Sequence, residues 1–185
     1  MSKIILDLCG GTGSWSKPYK DAGYDVRVIT LPDMDITNYE PPCKNVYGIL
    51  AAPPCTMFSL ARTTAKTPRD FNKGMIIVKA CLWIIWQARE TQALKFWALE
   101  NPRGYLRQFL GKPPFTFMRC WFGDDGGKPT DLWGYYNIPK CNKSIKPVRG
   151  RDNTETAWYN TVNGSPERRA ITPQGFAQAF YKANK

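Results

Sequence analysis

Four short apolar runs, each stopped by a loop containing glycine or proline, constrain this chain more than any other feature. Lys3–Leu8 (KIILDL), Asp25–Thr30 (DVRVIT), Tyr47–Ala52 (YGILAA) and Leu94–Leu99 (LKFWAL) have the length and apolar content of buried strands. Helical stretches stand between them, near Ser16–Ala22 and over Lys73–Thr91. Strands alternating with helices predict an α/β domain around a mostly parallel sheet. Thr116–Phe122 and Leu132–Ile138 read as two later strands. A final helix is expected to start with Thr172 as N-cap and Pro173 in the first helical position. Functional loops of such a sheet lie at the carboxyl ends of its strands, and CGGTG, PPC and ENP all fall there.

The chain has 185 residues, 43% apolar and 14% aromatic, which is material for one folded domain. Its formal net charge of +11 is unevenly spread. Residues 1–100 hold 12 Lys and Arg against 9 Asp and Glu, whereas residues 101–185 hold 14 against 6. A basic second half suits a polyanionic partner, most often nucleic acid, although plain solubility charge has the same sign. The six cysteines (9, 43, 55, 81, 120 and 141) include no C-x-x-C pair, and histidine is absent from the sequence. Structural zinc needs four such ligands at close spacing, so no metal site is expected. Ser-His-Asp and Cys-His catalysis are excluded by the same composition. MSKIILDLCGG enters a strand without a basic-apolar-small leader, so no signal peptide is expected. The longest apolar run, Met75–Trp86, is short and broken by Lys79, and reads as a buried helix. A cytoplasmic protein with reduced thiols is the expectation.

Three loops carry chemistry. Gly10, Gly11 and Gly13 follow the first strand and open a helix, which lets backbone approach a ligand closely. An ordinary tight turn has the same spelling. The second strand ends without an acid, and the first carboxylate after it is Asp33. Pro53 and Pro54 end the run GILAA and hold Cys55 in a stiff turn, as a nucleophile or as a small buried residue behind that turn. Glu100 follows LKFWAL directly, where burial raises a carboxyl pKa and makes it a hydrogen-bond donor; a glutamate capping the next turn would look the same.

Taken in order and spacing, DLCGGTGSW, APPCTMFS and ALENPRG resemble the cofactor, nucleophile and glutamate motifs of the cytosine-5 DNA methyltransferases. The resemblance covers roughly residues 3–105. Beyond it, Cys120–Gly123 and Lys128–Thr130 stand where the family has a glutamine-arginine motif that is not spelled out here, and RAITPQGF (Arg169–Phe176) looks like its late R-x-L-T segment. The whole resembles compact members encoded by bacteriophages. This likeness implies a Rossmann-like fold dependent on S-adenosylmethionine and a DNA cytosine flipped out of its stack. It implies Cys55 as nucleophile and Glu100 as the contact to the cytosine ring, with Asn101 and Pro102 shaping their loop. The implied cofactor site comprises Asp7, Cys9, Gly10, Gly11, Gly13, Trp15, Asp33, Asp35 and Pro53. There Trp15 would replace, on the adenine face, the aromatic that the family carries where this chain has Cys9.

Contacts to nucleic acid are expected from Ser59, Arg62, Arg103, Lys128, Lys143, Arg149 and Arg151. The implied division is a catalytic domain over 1–139, a basic loop or reduced target-recognition segment over 140–169, and a helix over 170–185 packing back on the first. Phosphate contacts position DNA without reading it, so low sequence specificity is expected unless a partner subunit supplies recognition. Three other readings of the same residues stay open: a non-catalytic DNA-binding or host-interference protein, modification of cytosine in RNA, and transfer from an altered cofactor.

Overall fold

Both faces of the first strand are covered. The computed structural model describes residues 2–42, 44–62, 65–124, 126–145 and 170–185, and in it β1 (Ile4–Leu8) is buried at every position. Ile4, Leu6 and Leu8 point into one apolar cluster and Ile5 into another, the two-residue alternation of a strand between two layers. On one side β1 pairs in parallel with β2 (Asp25–Ile29) and on the other with β3 (Val46–Ala51). The order of strands along the sheet therefore reverses at β1. β3 pairs in parallel with β4 (Phe96–Pro102).

The expected mostly parallel sheet is instead mixed. β6 (Thr130–Tyr135) runs antiparallel to β4, and β5 (Phe115–Phe117) lies antiparallel to β6 at the edge, giving the order β2-β1-β3-β4-β6-β5. Antiparallel neighbours need only a short connection, and β5 is joined to β6 by one 3-10 turn and a loop, too little for a crossover helix. The strand expected over 116–122 stops at Phe117, and a 3-10 turn spans Arg119–Phe122. Arg119 and Cys120 are both buried, which consecutive residues of a strand would achieve only by facing opposite layers.

α2 (Phe71–Glu90) covers one face of the sheet with Val78, Cys81, Ile85 and Ala88, and Asp70 caps it by accepting from the Lys73 amide at 2.9 Å. The other face holds α1 (Lys17–Asp21) and α4 (Gln174–Ala183). Between β4 and β5 stands a single helical turn, α3 (Arg107–Leu110). Phe176 of α4 stacks on Phe117 with ring centroids 4.1 Å apart, and Trp15 lies 5.6 Å from Phe176 and 5.5 Å from Phe180. The start of α4 differs from expectation. Pro173 is extended and outside the helix, and no side chain of Thr172 caps it. Asp124, fifty residues upstream, does so instead: its carboxylate accepts from the amides of Gly175 (3.1 Å) and Phe176 (3.2 Å). At the other end Asn184 exchanges hydrogen bonds with Asn137.

The main ion pair of this half of the sheet joins α3 to β6. Asp131 is fully buried, and the Arg107 guanidinium meets both of its oxygens while Thr116 donates to one of them. Removing the arginine leaves a buried carboxylate without its counter-charge, which costs about 3 kcal/mol. Arg107→Ala is therefore expected to lower the urea-unfolding free energy by about that amount. A loss under about 0.5 kcal/mol would show that Asp131 needs no cation.

Candidate functional site

At the carboxyl ends of β1, β3 and β4 the ladders stop and three loops meet. The turn after β1 is left-handed at Cys9 (φ 57°), Gly11 (54°) and Gly13 (70°). Gly10 lies over Asp7 so closely that a Cβ there would sit 2.4 Å from the Asp7 carboxyl carbon. Only glycine lets this backbone cross the end of the strand. Gly11 is exposed, with no neighbour within 4 Å of the place a Cβ would occupy, so its backbone is open to a ligand. Asp7 itself is fully buried beneath the turn. Ser16 donates to one of its oxygens, the other has no hydrogen-bond partner, and burial raises its pKa to about 6. Cys9 lies against the core. There the buried Cys81 thiol holds the Cys9 thiol below its usual range.

Trp15, expected on a ligand face, is an inner residue of the second core, packed on Phe176 and Phe180. Its position in this turn supports α4 and leaves no indole face for a cofactor. Past β2, Asp33 is exposed. The Asp35 carboxylate accepts from the Thr37 amide and hydroxyl, which lowers its pKa.

The loop after β3 is held through its carbonyls. Buried Asn101 donates its side-chain amide to the Pro53 carbonyl at 2.9 Å. The Cys55 carbonyl accepts from the amides of Phe58 (2.9 Å) and Ser59 (2.8 Å), winding the chain into a turn that leaves Cys55 half-buried. Arg69 donates to the carbonyls of Met57 and Ser59 at 3.0 and 2.8 Å, and the Tyr105 amide donates to that of Phe58 at 2.9 Å. Ser59 also bridges to Gly104, so the loop after β3 is zipped to the loop after β4. Arg62 donates to Thr67 through its carbonyl and hydroxyl oxygens.

Glu100 lies within β4, and Cys55 lies in the loop that follows the neighbouring strand β3. Ala51 pairs with Leu99; Glu100 is the next residue on β4, and Cys55 follows four residues after Ala51. Glu100 lines a groove with Phe117, Arg119, Lys128, Thr130 and the segment Ala170–Pro173 leading to Phe176. Burial of its carboxyl pushes the pKa up, against the opposing pull of Lys128 and Arg119. Arg119, itself buried, donates to the Ile171 carbonyl and so ties the start of the C-terminal segment to the groove wall.

Arg119 is absent from the sequence-derived set. Its signal was a single charge inside the apolar run FTFMRCWF, which is where a buried cation with a task would stand. Of the expected nucleic-acid contacts, Lys128 lines the groove, and Arg103, just past the end of β4, is exposed with its amide donating to the Pro129 carbonyl. Lys143 stands 5.9 Å from the Phe115 ring and 5.8 Å from Trp121. Arg149 and Arg151 lie outside the described residues, as does most of the basic segment. Among the described residues no helix is long and apolar enough to cross a membrane, and no cluster of three or more His, Cys, Asp or Glu side chains suits a metal ion. No family model and no curated protein sequence matches this chain.

Asp7 makes stability depend on pH in a definite direction. Its folded pKa of about 6 lies above the ordinary value of 3.8, so the folded protein binds the proton more tightly than the unfolded chain. The stabilisation is complete below pH 4 and is lost as pH rises through 6, by up to about 3 kcal/mol. Asp7→Asn keeps the shape without the charge. Relative to wild type, its urea-unfolding free energy should rise across that window; parallel curves for the two proteins would show that Asp7 titrates normally.

Proposed function

We propose that this chain is a cytosine-5 DNA methyltransferase of Rossmann-like fold, using S-adenosylmethionine and a covalent cysteine adduct. The observation that carries the reading is that β4, which bears Glu100 one residue past its ladder with β3, is tied by the Asn101–Pro53 hydrogen bond to the loop bearing Cys55. Support for the fold comes from the reversal of strand order at β1, since ligands of open α/β sheets bind outside the carboxyl ends of strands at such a point. The glycine turn lies at that point. The exposed, left-handed Gly11 with open space above it fits a cofactor close to the backbone, and Asp33 and Asp35 stand beyond the neighbouring strand as partners for hydroxyl or amino groups. When bound, the cofactor would supply an electrophilic methyl group on a sulfonium.

Cytosine carbon 5 is too weak a nucleophile to accept that methyl unaided. The Cys55 sulfur, as thiolate, adds to carbon 6, and the electron pair of the 5,6 double bond becomes available at carbon 5. Glu100 addresses the other side of the ring. Its raised pKa favours the protonated carboxyl, which donates to ring nitrogen 3 while its carbonyl oxygen accepts from the exocyclic amine. Negative charge developing on the ring is met by that donor, with Arg119 and Lys128 adding positive potential in the same groove. After methyl transfer, loss of the carbon 5 proton to solvent expels the Cys55 sulfur and restores the double bond. A stacked base exposes neither face of its ring to such groups, so the cytosine must be extruded, and Phe117 and Phe176 give the groove an apolar wall. Exposed cations such as Arg103 and Lys143 supply phosphate contacts that position DNA without specifying it.

In DNA containing 5-fluorocytosine a fluorine replaces the carbon 5 proton and cannot be lost as a cation, so the Cys55 sulfur is not expelled and the adduct should persist. Wild-type protein incubated with S-adenosylmethionine and such DNA is expected to shift on a denaturing gel, whereas Cys55→Ala should form no adduct and transfer no methyl. Methyl transfer surviving in Cys55→Ala would remove this mechanism.

A further inference from the structure

The outer side of α2 is not built like the outer side of a solvated helix. Its inner side meets the sheet through Val78, Cys81, Ile85 and Ala88. On the opposite side Ile76, Trp83 and Trp86 are 54%, 62% and 56% exposed, where polar residues are the rule. Two tryptophans one turn apart on a surface form an uncommon apolar patch, and tryptophan is the residue most enriched at the energetic centres of interfaces. The same stripe carries Lys79 and Glu90, both exposed. They are eleven positions apart, too far to pair with each other along one helix.

The spacing of Lys79, Trp83, Trp86 and Glu90 identifies what they fit. When two identical helices pack antiparallel about a two-fold axis, positions meet if they lie equally far on either side of it. An axis crossing α2 between Ile84 and Ile85 lies midway between Lys79 and Glu90, and also midway between Trp83 and Trp86. One placement therefore sets Lys79 against the Glu90 of a second copy and Trp83 against the second copy's Trp86, and symmetry makes each contact twice. Charge and apolar surface are self-complementary in a single register, the condition for an isologous interface.

We infer that the chain forms a two-fold symmetric dimer through the outer face of α2. The Glu100 groove stays open in that dimer, because its walls include Phe117 and Phe176 of the core on the other face of the sheet. Nothing in this inference depends on the methyltransferase reading.

Sedimentation velocity of the full chain over a dilution series tests it. Wild type should sediment as a dimer that dissociates on dilution, and Trp83→Ala, with unchanged circular dichroism, as a monomer. Lys79→Glu and Glu90→Lys replace two attractions by two repulsions, so each alone should raise the dimer dissociation constant about tenfold. The double variant K79E/E90K should return it to the wild-type value, a rescue that unspecific sticking would not show. Wild type monomeric at every concentration, a dimer indifferent to Trp83→Ala, or a double variant no better than the single ones would each overturn the proposal.

Discussion

The hydrogen bond from buried Asn101 to the Pro53 carbonyl is the contact on which the geometry of this surface depends. The β3–β4 ladder ends at Ala51 and Leu99, and the two chemical groups lie just past it. Pro53 and Pro54 have no N–H, so this stretch of loop offers carbonyls alone to whatever is to hold it. A side-chain amide is the donor such a loop requires, and β4 supplies one in the residue after Glu100. Net, such a bond is worth about 1 kcal/mol, but leaving either group unpaired in the interior costs about 1–3. The following residues obey the same logic: Arg69 and the Tyr105 amide take the carbonyls of Met57, Ser59 and Phe58. The stiffness of the loop is thus imposed from β4 and from the segment before α2, with proline limiting the conformations left to be excluded.

A second dependence runs through the C-terminal helix. Trp15, from the glycine turn, packs on Phe176 and Phe180, while Phe176 stacks on Phe117 at the wall of the groove. Glycine turn and groove thus share one aromatic wall. Asp124 holds the first amides of α4, and Arg119 holds the Ile171 carbonyl just before it. Residues far apart in the chain thereby fix the start of one helix to the 3-10 turn after β5. The twisted edge of the sheet is steadied in turn by Arg107 on Asp131, whose backbone lies in register with Asn101.

Much of this was legible in the sequence for a simple reason. The strands of β1, β3 and β4 are continuous apolar runs cut by glycine or proline, and both signals act locally. What escaped was set by partners distant in the chain. Nothing near Thr172 announces that Asp124 will cap α4, so a local Thr-Pro rule won on paper and lost in the fold. Thr116–Phe122 has strand composition, but the inward pull on both Arg119 and Cys120 breaks the alternation after Phe117. Trp15 reads as a binding aromatic from its place in a glycine turn, yet the core behind that turn needed a large apolar side chain to meet Phe176 and Phe180. The antiparallel β6 between β4 and β5 was equally hidden, since pairing order is a property of the assembled sheet.

The most direct measurement of the central claim is mass spectrometry of nucleosides from duplex DNA incubated with the purified protein and S-adenosylmethionine carrying a deuterated methyl group. The account predicts labelled 5-methylcytosine as the product, and no other labelled nucleoside. Label on the exocyclic amine of cytosine or on another base, or DNA left without label by a folded protein, would contradict it.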